Sequence, residues 1–143
     1  MLSRDEMEIA VREWMEAWNR HDLEKVMELF HEDVIFENWS GGRIRGKRNL
    51  YKAWKPWFRD NGGFRFETTG TLLDPQSQQA LLRWRLYWPS RLEGYRGRTE
   101  LREGLDVMHF RGGLIDLKLT YTRTSVEIDG RKIKLSPETP ESE

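Results

Sequence analysis

Cysteine is absent from the 143 residues. The chain therefore forms no disulfide and offers no thiol nucleophile, and a reducing cytoplasm suits it. A net charge is also missing. Lys and Arg total 24 and Asp and Glu total 24, so no overall field draws the chain to nucleic acid or anionic lipid. No apolar run approaches the ~20 residues of a membrane span, and the acidic N-terminus lacks the apolar core of a signal peptide. The three histidines, His21, His31 and His109, have no metal-ligand spacing. No Gly-x-Ser-x-Gly elbow, phosphate-cradling glycine loop or dinucleotide fingerprint occurs. These absences predict one soluble, cytoplasmic domain with no metal, no cofactor, no nucleic-acid partner and no membrane anchor.

What is present is tryptophan. Seven indoles in so short a chain need a half-buried setting, where the ring is covered and the N–H finds a partner. Arginine is locally dense at Arg83, Arg85, Arg91, Arg96, Arg98 and Arg102. Against a neutral total, that density reads as the solvated outer face of strands.

Periodicity organises the chain around residues 9–39. Met7, Val11, Trp14 and Trp18 form one helical stripe, and Ser3 with Glu6 makes a capping box that starts this helix near Arg4. His21 and Asp22 turn a corner, with Asp22 the N-cap of a short second helix carrying Leu23, Val26, Met27 and Phe30. His31 falls at its frayed end. At Val34 the period becomes two, with Phe36 and Asn38 on one face and Ile35, Glu37 and Trp39 on the other. Residues 49–58 return to helical spacing with Leu50, Ala53, Trp54, Trp57 and Phe58, but Pro56 predicts that this helix is short or breaks near Lys55, and Gly62-Gly63 predicts a stop. The remainder reads as strands at 64–74, 79–88, 98–110 and 114–124. Asp129-Gly130 then predicts a hairpin over 126–135 that pairs Val126 with Ile133 and Glu127 with Lys132. The polar, proline-bearing 136–143 reads as a disordered tail. The expected domain is therefore 1–135, of α+β class.

Two helices feeding a strand, with the segments 17–38, 42–54 and 106–121, resemble the SnoaL-like branch of the nuclear transport factor 2-like superfamily. The resemblance implies three N-terminal helices packed on a strongly curved antiparallel sheet that leaves a conical cavity. The 126–135 hairpin looks like an addition to that plan. The resemblance also implies a small-molecule ligand, and a homodimer using the outer sheet face. In the ketosteroid isomerase branch a helix 1 Tyr, a strand 1 Asp base and a second, protonated Asp do the chemistry. The matching positions here are Trp14, Asn38 and Asp106, so only the last is kept and Asn38 has no basic form. The His and Asp of SnoaL cyclases fall on Lys118 and Thr120.

Strand parity groups Phe36 with Asn38, Trp84 with Leu86 and Trp88, and Arg102 with Gly104, Asp106 and Met108. The helices add Trp14, Trp18, Trp54 and Trp57. Converging, these faces would line an apolar pocket with few polar groups; packed solid, they would form an aromatic core. Asp106, Asn38 and Trp14 are the candidate catalytic groups. Trp18, Phe36, Trp54, Trp57, Trp84, Leu86, Trp88, Met108, Lys118 and Thr120 are the candidate ligand contacts. Among apolar neighbours Asp106 is expected to be neutral and to donate to a ligand carbonyl. Lys118 either faces the pocket and opposes that, or lies outside while Leu117, Leu119 and Tyr121 fill the interior. Glu100 and Glu103 read as solvated. The function expected is a pocket for a ring-containing carbonyl compound, of isomerase, cyclase or dehydratase type. The alternative is a non-catalytic dimeric binding or adaptor module.

Overall fold

The computed structural model describes residues 1–60 and 63–135; the expected stop at Gly62 and the expected tail at 136–143 lie outside them. Helix α1 (Arg4–Asn19) begins at the capping box: the Ser3 hydroxyl accepts from the Glu6 N–H and the Glu6 carboxylate accepts from the Ser3 N–H. Its buried stripe is Met7, Val11, Trp14 and Trp18. The corner closes with His21 at φ 57, its ring nitrogen 2.8 Å from the Phe64 carbonyl, which is a structural role. Asp22 then caps α2 (Leu23–Glu28) by accepting from the Lys25 N–H.

Strand β1 (Phe30–Glu37) begins earlier than the change of period suggests, so His31 lies in the strand and not at a helix end. After a short β2 (Arg43–Arg45), α3 (Lys47–Asp60) runs unbroken through Pro56. The break expected near Lys55 does not occur. Leu50 and Phe58 are buried and Trp54 and Trp57 pack against the core, so tertiary burial of this face outweighs the missing proline N–H. The long strands β3 (Arg65–Asp74), β4 (Gln79–Pro89), β5 (Thr99–Arg111) and β6 (Leu114–Thr122) follow, then β7 (Ser125–Ile128) and β8 (Arg131–Lys134).

The sheet order is β2-β1-β6-β5-β4-β3. It is mixed, not antiparallel throughout: β1 and β6 run parallel, with one helix and four strands intervening before β6 returns beside β1. The sheet is strongly curled and the helices fill its concave side. The final hairpin pairs Val126 with Ile133 and Glu127 with Lys132, as its alternation requires, and β7 extends along β5 at Glu100 and Leu101. Its turn residues sit at φ 53 (Asp129) and φ 75 (Gly130). A small second core of Leu92, Val126 and Ile128 lies beneath it. Among the described residues, no helix is long and apolar enough to cross a membrane.

Candidate functional site

Register decides which side chains meet inside the cone. Phe36 on β1 lies beside Lys118 on β6, and Lys118 lies beside Met108 on β5. Laterally paired residues project to the same side of a sheet. Phe36 faces the helices, so Lys118 must as well. One step along, Asp106 pairs with Thr120, which brings lysine, threonine and aspartate onto one patch of the concave wall.

Their contacts close a triangle. Lys118 Nζ lies 3.0 Å from Asp106 Oδ1 and donates to Thr120 Oγ1 at 2.7 Å. Thr120 in turn donates to the same Asp106 oxygen at 2.6 Å. The other oxygen, Oδ2, accepts from Trp84 Nε1 at 3.2 Å. Both Asp106 oxygens are thus engaged by donors from Lys118, Thr120 and Trp84, the arrangement expected if Lys118 faces the pocket. Asp106 is 4% exposed and Lys118 5%. The ammonium sits in an aromatic cage, 4.5 Å from the Phe36 ring centre, 5.6 Å from Trp54 and 5.9 Å from Trp14. Burial pulls the Lys118 amine below the ordinary lysine range, and the Asp106 carboxylate opposes that pull.

This patch lines a cavity of about 510 Å³ whose wall includes Trp14, Trp18, Phe36, Asn38, Trp54, Trp57, Trp84, Trp88, Asp106, Lys118 and Thr120. Most of the residues grouped from the sequence therefore meet around one hollow. Leu86 and Met108 do not reach it; both are fully buried in the core behind the wall. Asn38 reaches the wall, but its carbonyl oxygen is engaged by the Trp39 N–H at 2.7 Å. Trp14 and Trp18 meet edge to face at 5.8 Å, and their buried indole N–H groups have no hydrogen-bond partner among the described residues.

Several wall residues escaped sequence reasoning. Trp39 alternates outward on paper, yet β1 ends at Glu37 and the following turn swings the indole inward against Trp84 and Trp88. Phe66 enters from the edge strand β3, whose backbone is held to α1 by a pair of bonds with the Asn19 side chain. Glu100 is fully buried, not solvated. It accepts from Trp88 Nε1 (2.5 Å), Ser90 Oγ (2.9 Å) and Arg102 Nε (3.1 Å), while the Arg102 guanidinium lies 4.7 Å from the Trp39 ring. Arg102 is accordingly no outer-face residue, and the pair fastens two indoles of the cavity wall. The signal was present: Glu100 and Arg102 share the parity of Asp106.

Gly104 explains how Trp84 attains its position. The two are cross-strand partners, and a Cβ on Gly104 would stand 2.6 Å from the Trp84 ring and 2.4 Å from the Tyr121 carbonyl oxygen. Only glycine leaves room for the indole to cross β5 and reach Asp106.

The chain is similar in fold to several solved structures. The epoxide hydrolase/cyclase-like enzyme SalBIII, described for pyran ring formation in the polyether salinomycin, is 14% identical with a TM-score of 0.77, covering 90% of this chain and 99% of that one. A putative polyketide cyclase from Xanthomonas campestris pv. campestris is 19% identical with a TM-score of 0.71, over 84% and 92% of the two chains. An epoxide hydrolase of the LEH-like type from M. tuberculosis is 20% identical with a TM-score of 0.68, over 83% and 84%. No curated protein matches the sequence. The model of the SnoaL-like domain matches residues 11–117, well over half of the chain and ending one residue before Lys118. The chain therefore belongs to the SnoaL-like domain family.

Proposed function

We propose that the cavity binds an uncharged or weakly acidic ring-containing carbonyl compound, and that the Lys118–Thr120–Asp106 triangle acts on it by isomerase- or cyclase-type proton transfer. The observation carrying this reading is a buried, hydrogen-bonded acid–base pair set in the wall of an aromatic hollow. The pair is neutral as a unit, so the pocket favours a ligand without strong charge. Lys118 and Thr120 supply donors for a ligand oxygen, and Asp106 supplies an acceptor for a carbon-bound or hydroxyl proton. The unpartnered indole N–H groups of Trp14 and Trp18 add donors whose burial costs about 1–3 kcal/mol each until an acceptor arrives. The names of the similar structures, a cyclase and epoxide-opening enzymes, suit chemistry on oxygenated rings.

Titration of the native tryptophan fluorescence with single- and fused-ring ketones tests this. Asp106→Asn and Trp14→Phe are each expected to weaken binding about tenfold, or ~1.4 kcal/mol. Unaltered binding in both variants, with native near-ultraviolet circular dichroism, would overturn the assignment.

A second reading is a non-catalytic dimeric binder or adaptor. Asn38 favours it, since the isomerase branch carries its base at that position. Tyr121, 54% exposed on the outer face of β6, gives such a module a contact residue for a second copy.

A further inference from the structure

Lys118 differs from the other described lysines in its surroundings. Lys25, Lys52 and Lys132 are exposed, whereas the Lys118 amine is enclosed by Phe36, Trp54 and Trp14 with Asp106 and Thr120 as its polar neighbours. An ion pair that merely stabilised the fold would gain nothing from bordering a cavity of about 510 Å³. Here the amine, a proton acceptor 3.0 Å away and a space for an apolar ligand adjoin one another.

We propose that Lys118 captures the carbonyl carbon of an aldehyde or unhindered ketone in this cavity as a covalent imine. The inference rests on the cavity being a ligand site and names the carbonyl class it takes. The ammonium first passes one proton to Asp106, leaving a neutral amine and a carboxylic acid. Lys118 Nζ then forms the C–N bond as the carbonyl π electrons move to oxygen, and that oxygen takes up the proton released from nitrogen. Asp106 returns its proton to the resulting hydroxyl, the C–O bond breaks, and water departs as the nitrogen lone pair closes C=N. The products are a protonated imine, one water and a restored carboxylate. No oxidant, reductant or metal enters the balance. The iminium cation stands where the ammonium stood, facing the Phe36 and Trp54 rings and the Asp106 carboxylate, so the site that holds the reactant cation also holds the product cation. Burial helps as well, because it favours the uncharged amine that attacks.

The test is reductive trapping with benzaldehyde and sodium cyanoborohydride near neutral pH, followed by peptide mapping of the intact, full-length chain. The peptide carrying Lys118 is expected to gain one benzyl group about tenfold faster than those carrying the exposed Lys52 and Lys132. Lys118→Arg, which keeps the cation, should abolish that adduct and leave surface labelling unchanged. The wild-type map decides the matter even if this variant fails to fold. Labelling of Lys118 no faster than that of Lys52 overturns the proposal. A parallel fluorescence titration with benzyl alcohol, which has no carbonyl, separates the two levels of the argument. Quenching by benzyl alcohol without trapping overturns the imine and retains the pocket; neither quenching nor trapping overturns both.

Discussion

Asp106 and Lys118 show how much one pair of side chains depends on its mutual placement. Each is nearly fully buried, and each would be an uncompensated charge without the other. Breaking such a pair costs about 3–5 kcal/mol, whereas replacing both partners by apolar groups is often close to neutral. Urea unfolding is therefore expected to show Asp106→Asn destabilised by ~3 kcal/mol, with Asp106→Leu/Lys118→Met together losing less than the sum of the two single changes. Additive losses would mean that the two groups do not interact. Gly104 makes a second, purely steric case. Its missing Cβ admits the Trp84 ring, so Gly104→Ala forces either the indole or the β5–β6 ladder to move. Overpacking of this kind costs about 1–3 kcal/mol. We expect a lowered thermal midpoint together with a changed tryptophan emission, since the ring that moves is itself the reporter.

At the scale of elements, two segments show local preference and tertiary demand pulling in different directions. Helix α3 keeps Pro56 in its interior, although an interior proline costs about 3 kcal/mol in an isolated helix. Its aromatic face is the reason: Trp54 packs on Trp18 at 4.9 Å and Trp57 stacks on Phe64 at 4.2 Å. The β7–β8 hairpin is the opposite case, where local chemistry suffices. Asp129 and Gly130 both adopt positive φ, the geometry of a two-residue turn whose twist matches its strands. Gly130→Ala places a Cβ where φ is 75 and is expected to cost about 1 kcal/mol. Because β7 runs along β5 opposite Glu100, the loss should also appear as faster amide exchange at Glu100 and Leu101. Protection unchanged at those two amides would show that the hairpin does not support the end of β5.

For the molecule as a whole, the buried amine links stability to pH. The folded state holds the Lys118 proton less tightly than the unfolded chain does, because burial disfavours the charge. Between the lowered folded value and the ordinary lysine value of about 10.4, the unfolded state thus binds more protons. Stability from this group rises with pH through that window and is lowest below it. Lys118→Met removes the dependence. The stability difference, wild type minus Lys118→Met, is expected to increase as pH rises from neutral toward about 10. Urea midpoints of both proteins across that range check the sign, and a difference that falls with pH would refute it.

How much of this was legible beforehand follows from the range of the forces involved. The capping box at Ser3 and Glu6, the helical stripe through Trp14 and Trp18, the shared parity of Trp84 with Trp88 and of Arg102 with Asp106, and the Asp129-Gly130 turn are short-range features. Each is set by neighbours within a few residues, and the amino-acid order alone determined them. The parallel partnership of β1 with β6, the inward turn of Lys118, the burial of Glu100 with Arg102 and the swing of Trp39 were decided by tertiary structure. In each of these the deciding neighbour lies in a different element, as Phe36 does for Lys118 and Trp88 does for Glu100. A period of two says which residues share a face, but only the register between distant strands says which face turns inward and what it meets there.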